Sequence, residues 1–81
     1  MSENDNQESI DSLGDKIKRL KREVELIFFE NSVYSWPDSE TELLEWVAHQ
    51  AGINKADQQE LLLKIEEVRF LKERISHLLT E

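Results

Sequence analysis

The chain has 81 residues, 18 acidic and 10 basic side chains, no cysteine and a net charge of −8. That length holds one small domain near the lower limit for a self-supporting core. The missing cysteines exclude disulfides and thiolate metal sites, and the acidic balance opposes anionic partners such as nucleic acid.

No apolar run reaches the ~20 residues of a membrane span. The N-terminus is acidic rather than basic-then-apolar, so no secretory signal is expected. A soluble, cytoplasmic protein without a membrane partner follows as the expectation. Its charge is unevenly spread. Residues 1–15 carry five acids and no base, and residues 16–23, KIKRLKRE, carry five bases and one acid. Residues 24–60 then hold eight acids against Lys55 alone.

Residues 1–9 are polar, acidic and without period, which predicts a disordered tail. From Ile10 the pattern changes: Ile10, Leu13, Ile17, Leu20, Val24 and Ile27 recur at spacings of three and four, the seam of a packed helix. A helix is predicted over about 12–31, capped at Ser12 and properly formed from Asp15, because Gly14 weakens its first turn by about 1 kcal/mol. Within it, Asp11-Ser12-Leu13 resembles the attachment triplet of acyl carrier proteins, which would make Ser12 the phosphopantetheine site. Here, however, the serine precedes the most basic stretch of the chain, where the carrier family has an acidic recognition helix. A helix cap is the reading taken, and no cofactor is expected.

The basic band Lys16, Lys18, Arg19, Lys21 and Arg22 has no interleaved aromatics, so single-strand stacking is unsupported. Asp15/Arg19, Arg19/Glu23 and Lys21/Glu25 are spaced for pairing along one helix. The band therefore reads as a solvated, salt-laced face or as an electrostatic contact for an acidic surface, such as that of a neighbouring subunit. The helix ends in LIFF, residues 26–29, which is apolar all round, so one partner helix cannot cover it.

Both tryptophans, the tyrosine and the proline fall within NSVYSWPDSETELLEW, residues 31–46. Val33, Tyr34 and Trp36 are expected to plug the end of the bundle. Docking on a partner is the competing role for Trp36, and even more so for Trp46. Ser39 to Glu42 fits a capping box and opens a short helix over about 39–51. Gly52 is expected in the left-handed conformation that ends such a helix, with Ile53 closing an apolar contact behind it.

Asn54 caps a third helix over about 55–79. Leu61, Ile65, Val68, Leu71, Ile75, Leu78 and Leu79 form its broad apolar face. Leu63 and Phe70 lie almost opposite and seven residues apart, on one line of the helix. A helix apolar on two sides must bury both or show a patch. Residues 47–62, VAHQAGINKADQQELL, resemble the first half of a helix-turn-helix, which would imply duplex reading by the third helix. Its outward residues include Asp57, Gln59 and Glu60 with Lys55 as the one base, a poor match to phosphates.

Glu45/His49 and Glu73/His77 have the spacing of paired metal ligands, a pattern that arises readily in glutamate-rich helices, and no metal is expected. No nucleophile sits in a glycine-rich turn and no triad can be assigned, so no catalytic residue and no enzymatic activity are expected.

The predicted fold is all-α, a single domain over 10–81 with two long antiparallel helices and a short one between them. The expected function is helix-on-helix protein interaction, as an adaptor, regulator or assembly subunit, through Phe28, Phe29, Trp46, Leu63 and Phe70. The expected partner is itself or another helical protein. A helix-turn-helix-like nucleic-acid accessory role is the alternative.

Overall fold

A computed structural model describes residues 9–80; residues 1–8 of the tail expected over 1–9, and the terminal Glu81, lie outside the described residues. Three helices follow one another: α1 (Ile10–Glu30), α2 (Glu40–Ala48) and α3 (Lys55–Thr80). Among the described residues there is no strand. The cap of α1 is Ser9, whose hydroxyl accepts from Ser12 N at 3.0 Å. The helix thus starts before the expected Ser12 and runs through Gly14, because the buried contacts of Leu13, Ile17, Val24 and Phe28 outweigh one glycine.

The long helices pack antiparallel. Leu13 and Ile17 of α1 meet Val68 and Leu71 of α3 at one end, while Val24 and Phe28 meet Leu61 and Ile65 at the other. The second end also receives Leu43 and Val47 of α2 and Ile53 of the following turn. Leu78 and Leu79, expected on the buried face, remain 37% and 69% exposed. The packed pairs end at Leu13 and Leu71 with Ile75 beside them, and α3 continues past that contact.

The aromatic connection differs from an end plug. Asn31 lies against Asp57 at the start of α3, whereas Glu40 reaches Lys72 two-thirds of the way along it (2.9 Å). Residues 31–39 therefore run back beside α1. Trp36 stacks on Phe28 at 4.5 Å and Tyr34 on Phe29 at 5.8 Å, so Trp36 covers the flank of the core.

The turn that sends the chain back is a Schellman motif: Ser32 N donates to Phe29 O (3.0 Å) and Val33 N to Phe28 O (2.8 Å). Ser32 occupies its left-handed position at φ 62°. Gly52, where that conformation was expected, does not adopt it. Helix α2 stops at Ala48 rather than 51, closed by tight bonds from His49 N to Trp46 O and Gln50 N to Val47 O. The reversal is complete before the glycine.

Candidate interaction surface

Helix α3 buries Leu61, Ile65, Val68 and Leu71. Its other side carries Leu63, 70% exposed, and Phe70, 58% exposed, two turns apart. No other part of the described chain folds over them. Along the same line stand Gln59, Glu66 and Glu73, all exposed, so each apolar group is bracketed by polar or acidic ones. The concavities bordered by Leu63 and by Phe70 open to solvent.

The LIFF segment divides cleanly. Phe28 was expected on the interaction surface, and the structure corrects this: it is fully buried, against Trp36 and edge-on to Trp46 at 5.9 Å. Its position on α1 points between α2 and α3, so it is core. Phe29, one residue on, is 45% exposed with its ring against Tyr34, and Leu26, 53% exposed, borders an open concavity with Glu60 and Lys64 of α3. Trp46 is half-buried, its inner edge on the core and the rest beside a concavity of about 440 Å³ lined with Pro37, Glu42, Glu45 and His49. Trp36 and Trp46 thus both serve the core first.

Lys16, Lys18, Arg19, Lys21 and Arg22 are all exposed. The expected pairs along α1 do not form: none of Asp15/Arg19, Arg19/Glu23 or Lys21/Glu25 makes an ion pair. Glu23 instead reaches across to Lys64 of α3 at 2.6 Å, and Lys64 also meets Glu60 at 3.6 Å. The hydrogen bond to Glu23 raises the Lys64 pKa above its ordinary 10.5, against a smaller lowering by burial.

The corner between α2 and α3 is held by two residues that the sequence did not single out for this role. The Asn31 amide donates to Ile27 O (2.9 Å) and to Asp57 Oδ2 (3.0 Å), and its oxygen accepts from Asn54 N (3.2 Å). One side chain thereby ties the last carbonyls of α1 to the first turn of α3. Gln58, whose polarity departs from the helix-turn-helix pattern, donates to Val47 O at 2.8 Å and caps the end of α2. Asp57 and Gln58 are thus spent on internal bonds. The only local signal was an asparagine two residues before an extended segment, too common to decide anything.

Glu45 lies on α2 with His49 as its C-terminal cap, and Glu73 and His77 lie on α3; among the described residues no cluster of three or more such side chains could hold a metal ion. His49 Nδ1 donates to the Glu45 carbonyl at 2.9 Å. No described helix is long and apolar enough to cross a membrane. No protein-family model, curated protein or solved structure matches the chain.

Proposed function

We propose that this protein is a non-enzymatic helical interaction module of the cytoplasm, an adaptor or assembly subunit that docks another helix on the outer face of α3. One observation carries the reading: Leu63 and Phe70 stand 70% and 58% exposed, in line on a helix whose opposite face is already buried. Exposed apolar side chains scattered singly need no explanation, but two aligned on one rigid helix form the groove-docking pattern read at seven-residue spacing. Placing that pair on the longest helix gives it a fixed geometry without loop ordering, which lowers the entropic cost of binding.

The test compares the parent with Leu63→Asp/Phe70→Asp as bait in cells of origin, after circular dichroism shows equal helicity. Proteins cross-linked to the parent through α3 should be lost with the variant. An unchanged set of cross-linked proteins rejects this surface. The nucleic-acid alternative makes a separate demand: duplex binding that survives physiological salt and depends on Lys55 or Gln59. We expect none, since Asp57 and Glu60 flank that turn and phosphate contacts from α1 alone would be non-specific and salt-labile.

A further inference from the structure

The outer face of α3 repeats at alternating steps of four and three residues: Gln59, Leu63, Glu66, Phe70, Glu73, His77. All are exposed. A partner helix for this seam must bring apolar groups and positive charge together. A second α3 cannot. In parallel pairing, Glu66 and Glu73 would each face their own copy, and in antiparallel pairing the same spacing sets Leu63 and Phe70 against Glu66 and Glu73. Like charges, or an apolar group opposite a carboxylate, oppose both arrangements.

Helix α1 carries the complementary seam on its outer side. Asp15, Arg19, Arg22, Leu26 and Phe29 follow the same alternating steps and all are exposed. Laid antiparallel, the two seams match at four of their five layers. Leu63 meets Phe29. Phe70 meets Arg22, whose guanidinium can lie on the ring. Glu73 meets Arg19 and His77 meets Asp15, while Glu66 falls beside Leu26 with Arg22 in the next layer. The parallel alternative pairs Glu66 with Arg22 and Phe70 with Leu26 but sets Leu63 on Arg19 and Glu73 on Phe29, two mismatched layers against one.

We propose that the occupant of the α3 face is the outer face of α1 in a second copy of this chain. This rests on the reading of Leu63 and Phe70 as a docking surface. Each seam lies across its helix from the buried stripe, so the two seams are on opposite sides of the α1–α3 pair. The contact is therefore head-to-tail, and does not close at a dimer. Every added copy continues the antiparallel alternation already present within one chain. Arg19 and Arg22, which make no ion pair among the described residues, find their acids on the neighbour.

Sedimentation velocity across a concentration series tests this with variants at exposed positions. Arg19→Glu/Arg22→Glu blocks the α1 seam, and Leu63→Asp/Phe70→Asp blocks the α3 seam; Glu66→Lys/Glu73→Lys is a second α3 block should the first lose helicity. The parent should form species larger than a dimer as concentration rises, and added salt should reduce them. Each variant alone should be a monomer. An equimolar mixture of the α1-blocked and α3-blocked chains should give a 1:1 dimer and nothing larger, because one intact seam remains on each. A parent that stays monomeric, an α1-blocked chain that assembles like the parent, or a mixture that stays monomeric overturns the proposal. A monomeric parent leaves the α3 face to the cross-linking comparison above, which fails or succeeds independently.

Discussion

At one end of the α1–α3 pair, Val24, Phe28, Leu61 and Ile65 lie under a third helix with Trp36 and Trp46 around them; at the other, Leu13, Ile17, Val68 and Leu71 pack between two helices alone. Side chains are buried equally well at both ends, with Leu13 and Phe28 both at 0% exposure. What differs is the number of neighbours. The closed end needs apolar groups around more of the helix, and α1 supplies them in LIFF; the open end needs one stripe, and α1 supplies Leu13 and Ile17 on one side. The change in pattern along α1 marks where the second neighbour begins.

Two truncations break this comparison most forcefully. Phe28→Ala should cost about 3–5 kcal/mol and Leu13→Ala about 2–5 kcal/mol, the usual ranges for a buried aromatic and a buried leucine. Small domains have only about 5–15 kcal/mol in total, so the first variant should be largely unfolded at modest urea. Hydrogen exchange sharpens the point: amides near Leu13 should open at lower free energy than those near Leu61. Equal protection at the two ends would mean that the whole chain unfolds as one unit and that the third helix adds nothing local.

The next largest effect lies in the polar lock of the closed end. Asn31→Ala removes a donor to Ile27 O and Asp57 and an acceptor for Asn54 N. The bonds are part-exposed, so water replaces some of them, and the expected loss is about 1–2 kcal/mol. Urea unfolding should show it. A loss below about 0.3 kcal/mol would assign the corner to Ile53 and Val47 packing alone.

Most of the fold could be read from spacing, and the misses have physical causes. Three helices, their order and the outward Leu63 and Phe70 follow from period alone, because a stripe at 3.6 residues has one interpretation in a chain this polar. Phe28 and Phe29 could not be separated in the same way. In an apolar run of four, period is lost, and which ring is core depends on where α2 and Trp36 lie. The roles of Asn31 and Gln58 in the corner rest on bonds that span 26 and 11 residues, and no local pattern encodes a distant partner. Ser32 was hidden for the opposite reason. The left-handed position is normally announced by glycine, and here the glycine that drew attention is Gly52, in a turn that does not need it.

That displacement yields a pair of stabilising changes, one at each end. Gly14 lies inside α1 with open space where a Cβ would stand, so Gly14→Ala should add about 1 kcal/mol at the open end. At the closed end, Ser32→Gly removes the steric cost of φ 62° but frees the unfolded chain, and a net gain of about 0.5 kcal/mol is expected. In a domain of this size such gains raise Tm by about 2–8 °C. If Ser32→Gly lowers Tm, the serine hydroxyl contributes more than the backbone strain costs.

The smallest expected effect comes from the ion pair between the two ends. Lys64 joins Glu23 across the helices with side chains 22% and 43% exposed, and pairs open to solvent contribute about 0.2–1 kcal/mol. Because the Glu23 hydrogen bond raises the Lys64 pKa in the folded chain, its contribution is complete below the ordinary lysine value and is lost as pH rises through the raised one. Lys64→Met should therefore be slightly less stable than the parent at pH 7, and that gap should shrink as pH is taken above 10.5, the ordinary value. The two proteins differ only at this position, so urea unfolding of both at each pH isolates this one charge. A gap that persists undiminished at high pH would show that the lysine stem, packed between α1 and α3, stabilises the chain and that its charge does not.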